Sequence, residues 1–185
     1  MLEAGEKQAL LAAARRAIQE GLAGKRWTPR LNGLAPGLRE PGAAFVTLKL
    51  DGRLRGCIGS LAPHQPLILD VAHNACAAAF EDPRFEPVDA GQAARLEIHV
   101  SVLGPTAPLP VSDEADLLAK LRPGVDGLVL HAGRQRATFL PSVWEELADP
   151  AEFLRHLKLK AGLPPGAWSD DWRFERYEVE EFGPH

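Results

Sequence analysis

At 185 residues, 45% hydrophobic and 25% charged, the chain has ordinary globular composition and is long enough to bury a core without disulfide or metal staples. A net charge of −4 and a pI near 5.9 argue against nonspecific nucleic-acid binding, which runs on net positive charge. Two cysteines without a CxxC pair, no signal-peptide pattern at MLEAGEKQALLAAARRAIQEG, and no apolar run near the ~18 residues that span a bilayer predict a reduced, cytoplasmic protein with no membrane partner.

Leu10, Leu11, Ala14, Ile18 and Leu22 recur at helical spacing and predict a first helix from about Glu3 to Gly21, ended by Gly21 and Gly24. Residues 25–43, rich in Gly, Pro and Arg, read as a long ordered loop of the kind that is usually functional or mobile. AFVTLKL-DG-RLRGCIGS then carries a strong hairpin signal, because a type I′ turn requires positive φ at both central residues, here Asp51 and Gly52. A two-residue turn sets Leu50 against Arg53, Leu48 against Arg55 and Val46 against Cys57, so that Arg55 and Cys57 project from one face. Gly56 and Gly59 leave backbone uncovered there, as happens where a ligand or another backbone approaches closely.

A second helix is predicted over about Gln65 to Phe80, with a narrow apolar face of Leu67, Ile68, Val71, Ala75, Ala78 and Ala79. Pro83 in EDPRF ends it by biasing Asp82 out of the helical region, and Arg84 reads as a guanidinium fixed in a structural turn. ARLEIHVSVL alternates as a half-buried strand, and prolines 105, 108 and 110 mark a linker. A short helix over about Asp113 to Leu121 and a hairpin around Gly133 follow. Asp149-Pro150-Ala151-Glu152 then opens a helix that Gly162, Pro164 and Pro165 stop. WRFERYEVEEF reads as one closing strand with a bulge near Glu175. Hairpins interspersed with helices, without a βαβ rhythm, predict an α+β fold: an antiparallel sheet with flanking helices.

Cys57 is the chemically sharpest residue. A nearby guanidinium favours the thiolate, the reactive form, and Arg55 is placed two residues away on the same face. The competing reading makes Cys57 a small buried hydrophobe opposite Val46, with Arg55 pairing a carboxylate. No general base emerges from spacing, and His64 is the nearest histidine in sequence. His73 and Cys76 share a helical face but lack the third and fourth ligands a metal site needs, so no metal is expected and no cofactor is assigned. Arg26, Arg30, Arg39, Arg53 and Arg55 bracket the loop and hairpin, either as an anion-binding rim or as solvated surface. Trp168 and Trp172 either line a pocket near the last strand or fill core.

At Leu54 to Ser60 the sequence LRGCIGS resembles the hallmark LRGCIG element of the AMMECR family, labelled protein A of the AmmeMemoRadiSam system in prokaryotes. Around it FVTL (Phe45 to Leu48), EDPRF, VSVL (Val100 to Leu103), GVDGLVL (Gly124 to Leu130), TFLP (Thr138 to Pro141) and KAGLP (Lys160 to Pro164) stand in the family's order. The resemblance covers nearly the whole chain and implies one AMMECR-type domain over residues 1–185, with two lobes around the LRGCIG hairpin. It implies no assigned reaction, but joint action with a Memo-like protein and a radical SAM protein. The site it implies is Arg55 and Cys57 as catalytic candidates, with Gly56, Gly59 and Arg84 as ligand-binding candidates and Asp82 and Phe85 beside them. The expected activity is that of an enzyme component using an activated thiol with Arg55 holding an anion. The alternative is a non-catalytic adaptor for a protein or a small anionic ligand.

Overall fold

In the computed structural model, which describes residues 1–184, the helical periodicity at the N-terminus becomes α1 (Ala4–Leu22), with Leu10, Ala13, Ala14, Ala17 and Ile18 on its buried stripe. The Gly- and Pro-rich segment after it holds one short helix, α2 (Pro36–Arg39), and a two-residue strand, β1 (Pro41–Gly42). The hairpin is β2 (Ala44–Leu50) and β3 (Arg53–Gly59), turned by Asp51 at φ 53° and Gly52 at φ 77°. Next come β4 (Gln65–Pro66), which pairs with β1, then α3 (Leu67–Phe80), α4 (Ala90–Ala93) and β5 (Glu97–Leu103).

These elements, with the chain from Glu180 onward, form one of two compact units. Its antiparallel sheet has the order β10-β5-β2-β3, where β10 is Val179–Phe182. Val46, Leu48, Ile98 and Val100 point to one side, where they pack with Leu10 and Ile18 of α1 and Val71 and Ala75 of α3. The remaining alternate positions, among them Thr47 and His99, belong to the other face.

The second unit, Gly104–Val179, comprises β6 (Ala107–Pro108), α5 (Glu114–Lys120), β7 (Gly127–Ala132), β8 (Gln135–Phe139), a 3-10 turn at Pro141–Glu145, α6 (Pro150–Lys160) and β9 (Arg173–Tyr177). Its sheet order is β6-β9-β7-β8. Leu128 and Leu130 meet Phe153, Leu154 and Leu157 of α6, and Trp144 stacks on Phe153 at 3.8 Å. Trp168 stacks on Phe174 at 5.6 Å and lies 5.8 Å from Trp172, so both tryptophans help to close this core.

Two sequence expectations are corrected. The closing segment is not one strand bulged at Glu175: Glu175 is paired on both sides, and the break falls at Glu178, between β9 in one sheet and β10 in the other. The hairpin register also differs. Leu50 faces Arg53 as expected, but a bulge at Arg55 sets Leu48 against Gly56, Val46 against Ile58 and Thr47 against Cys57. The uninterrupted register would drive a guanidinium into the core opposite fully buried Leu48. One extra residue on β3 leaves Gly56 and Ile58 on that face instead and carries Cys57 to the other.

Candidate functional site

β3 is an edge strand, and the turn after α3 supplies what a neighbouring strand otherwise would. The Cys57 N–H donates to Asp82 Oδ2 at 3.0 Å. Asp82 is only 4% exposed, and it accepts three further bonds from Arg84: from its backbone N–H (3.1 Å), from Nε (3.0 Å) and from Nη2 (2.7 Å). The Arg84 hydrogen bonds, helped by the Cys57 N–H, hold the Asp82 carboxyl well below the usual carboxylate range against the opposing effect of burial. Reciprocally, the Asp82 hydrogen bond raises the pKa of Arg84, and the negative form of Cys57 adds to that rise. Asp82 thus joins the Arg84 guanidinium to the Cys57 backbone, while the Arg84 side chain stays 54% exposed.

Arg55 is held differently. As the bulged residue, it sends Nη2 to the Glu86 carbonyl (2.6 Å) and to Gln92 Oε1 (3.1 Å), and its guanidinium lies 5.6 Å from the Phe85 ring centre. Arg84 lies 5.5 Å from the same ring, so Phe85 has both arginines around it. The Arg55 Nη1 is buried without a hydrogen-bond partner among the described residues.

The two glycines of the motif are filled by protein. A Cβ at Gly56 would collide with the Ala78 carbonyl oxygen of α3, and one at Gly59 would collide with the Phe45 ring. Close approach is thus the reason for glycine at both places, with α3 and Phe45 as the groups that approach.

Thr47 and His99 are the residues that sequence reasoning missed. Cys57 Sγ lies 3.3 Å from Thr47 Oγ1, and His99 on β5 is the cross-strand partner of Thr47 on its other side. Cys57, Thr47 and His99 therefore form one row across three strands. The alternation of LEIHVSVL already assigned His99 to the polar face, but the unbulged hairpin register put Cys57 on the opposite one.

Behind the end of β3 lies a second polar cluster. Asp70, fully buried, accepts from the Ala44 N–H (2.9 Å), Ser60 Oγ (2.7 Å), Gln65 Nε2 (3.2 Å) and Asn74 Nδ2 (3.1 Å). It clamps both strands of the hairpin to α3, a structural role. His64 lies outside, 57% exposed and 3.9 Å from Asp70. His73 and Cys76 line a cavity of about 160 Å³ with Arg26 and Trp27, away from Cys57 in the sheet. Burial, and secondarily Glu81, pushes the Cys76 thiol pKa up. Among the described residues no group of three His, Cys, Asp or Glu could hold a metal ion. In the second unit, Pro108, Leu109, Trp172 and Phe174 line an open groove of about 760 Å³ that includes the His131–Glu175 pair at 2.9 Å.

The AMMECR1 family model matches residues 11–182, spanning both the LRGCIG hairpin and the Asp82–Phe85 turn. The chain belongs to the AMMECR1 family. A family relative from Methanothermobacter thermautotrophicus is 39% identical over 183 residues, 98% of this chain and 95% of its own length. One from Methanocaldococcus jannaschii is 38% identical over 178 residues, covering 92% and 88%. The crystal structure of an uncharacterized protein from Pyrococcus horikoshii matches with a TM-score of 0.87 at 36% identity, over 94% of this chain and 89% of that one. That likeness carries the α+β architecture of an AMMECR1 protein: antiparallel sheets with flanking helices. Among the described residues no helix is long and apolar enough to cross a membrane.

Proposed function

We propose that this AMMECR1-family protein is an enzyme component whose working group is the Cys57 thiol, with an anionic part of the substrate received by Arg84 and, beside it, Arg55. The observation that supports this most is the clamp of Asp82 on both the Cys57 N–H and the Arg84 guanidinium, which ties a cation to the Cys57 backbone. A guanidinium favours the thiolate over the thiol and offers a planar fork to a carboxylate or phosphate. Arg84 retains an exposed side to do so. Memo-like and radical SAM proteins are the partners with which this component would act, by family resemblance.

The test compares two alkylating agents of similar size, anionic iodoacetate and neutral iodoacetamide, at Cys57 and at Cys76. The expected result is an iodoacetate-to-iodoacetamide rate ratio that is higher at Cys57 and that falls in Arg84→Gln. Equal ratios at both cysteines, unmoved by Arg84→Gln, would remove the anion subsite and with it the proposal.

A second reading is favoured by the arginines outside the clamp. The Arg26 side chain is 81% exposed, and Arg30, Arg39 and Arg53 are exposed too, a basic margin on an acidic chain. In that reading the protein is an adaptor that docks an acidic partner surface through these residues. Partner capture lost on Arg26→Glu with Arg30→Glu, and untouched by Cys57→Ser, is its signature.

A further inference from the structure

Thiol chemistry at neutral pH requires somewhere for the thiol proton to go, and Asp82 is a poor recipient. Its carboxylate holds four hydrogen bonds and is stabilised in its charged form by Arg84. The helix-facing side of β3 offers nothing titratable either, since Gly56 and Ile58 occupy it. The row across the sheet does. Cys57 Sγ and Thr47 Oγ1 are 3.3 Å apart, within hydrogen-bond distance for a sulfur. Directly cross-strand from Thr47 stands His99, whose Nε2 is buried and has no hydrogen-bond partner among the described residues. Residues directly opposite on neighbouring strands have Cβ atoms roughly 4.5–5.5 Å apart, a gap that one rotamer change or one water closes.

We infer that His99 is the proton acceptor for Cys57, acting through the Thr47 hydroxyl that stands between them on the sheet face turned away from α1 and α3. This rests on the thiol reading of Cys57 proposed above. The transfer balances simply. The Cys57 S–H bond breaks as its proton passes to Thr47 Oγ1, and the Thr47 O–H proton passes to the imidazole. A thiolate, an intact hydroxyl and an imidazolium result. His99 is thus a residue that acts through Thr47, and the hydroxyl serves as a relay that a methyl group cannot replace.

Charged groups flank the row at both ends. Glu97 Oε2, on the same strand, lies 3.9 Å from His99 Nε2, and Glu97 pairs across with Lys49 of β2. On β10, Glu180 and Phe182 both engage Lys7 of α1, so Glu181 between them alternates onto the His99 face. Gly183 comes close to the imidazole, since a Cβ there would sit 2.8 Å from Nδ1, and it brings no ionisable side chain. Beyond Thr47 the row ends at Cys57, whose backbone N–H shares the Asp82 carboxylate with Arg84. Carboxylates thus flank the imidazole end of the row, and Arg84 reaches the other end through Asp82.

The test measures iodoacetamide alkylation of Cys57 from pH 5 to 10, site-resolved by mass spectrometry, with Cys76 as internal reference. Wild type is compared with His99→Gln, Thr47→Val, Thr47→Ser and the His99→Gln/Thr47→Val double variant. The relay predicts that His99→Gln and Thr47→Val each slow Cys57 at pH 7 by about tenfold, equivalent to one pKa unit. Thr47→Ser keeps close to the wild-type rate, and the double variant is no slower than either single one because both cut the same path. Cys76 is unaffected throughout. Thr47→Val preserves shape and leaves His99 in place, so the comparison with Thr47→Ser stands even if His99→Gln loosens the sheet. A Cys57 that keeps the wild-type rate and pH profile in every variant would overturn the relay and leave the thiol reading intact. A Cys57 that is inert in the wild-type protein would overturn both.

Discussion

The Asp82 clamp makes a prediction that can be worked through in energies. Asp82→Ala removes the acceptor of the Cys57 N–H on an otherwise unpaired edge and frees Arg84. Stranding a part-buried donor costs about 1–3 kcal/mol. The Arg84 pair adds ~0–1 kcal/mol, because its guanidinium is largely in solvent and screened. Together these give about 1–4 kcal/mol for Asp82→Ala. Asp82→Asn keeps an oxygen for the Cys57 N–H and is expected to cost roughly half as much. Chemical denaturation gives the totals, and amide hydrogen exchange at Cys57 reports the local bond directly. Acid adds a signature. The folded-state pKa of Asp82 is depressed, so its contribution is complete above the unfolded carboxyl value of ~3.9 and is lost as pH falls from there through the folded value. Asp82→Asn should flatten that acid limb. Both variants within ~0.5 kcal/mol of wild type, the range of an ordinary surface change, with unaltered exchange at Cys57, would refute the clamp.

Three further outcomes follow from the same geometry. Gly56→Ala sets a methyl against the backbone carbonyl of Ala78, which cannot move without α3, so it should destabilise by at least the ~1–3 kcal/mol typical of overpacking, seen in denaturant midpoints. Gly59→Ala sets its methyl against Phe45 Cγ, an atom that turning the ring about its own axis does not move, so Phe45 must shift as a whole and a cost in the same ~1–3 kcal/mol range is expected. Tyr177, whose hydroxyl lies 2.8 Å from Thr138 Oγ1, has its pKa pushed up to about 12 by burial. Its stabilisation is therefore full below the unfolded value of ~10 and lost as pH rises through the folded one, and Tyr177→Phe should remove that alkaline loss in a pH-dependent unfolding series.

Much of the architecture was legible because it rests on local rules. The Asp51-Gly52 turn, the apolar stripe of α1, the alanine face of α3 and the proline at the start of α6 each state their structure within a few residues. The site was legible only in its motif. Which face Cys57 occupies depends on one bulged residue, Arg55, and the reason for the bulge is tertiary: Leu48 and the Ala78 carbonyl lie opposite, where only Gly56 fits. Arg84 was visible as a fixed guanidinium in a turn, yet its link to Cys57 depends on Asp82 bridging 25 residues to the Cys57 N–H. His99 stands 42 positions from Cys57, and no spacing rule connects them before the register of three strands is known. The split of WRFERYEVEEF between two sheets is likewise decided by partners, not by its own alternation.

The most direct test of the central claim is the pH dependence of iodoacetamide alkylation at Cys57 in the native protein, with Cys76 followed in the same digest. With Arg84 tied to Cys57 through Asp82 and burial raising the other thiol, Cys57 should react faster at pH 7 and reach half its maximal rate at a lower pH than Cys76. A Cys57 that reacts only after unfolding, or that titrates no lower than Cys76, would contradict the account and reduce the residue to packing on an edge strand.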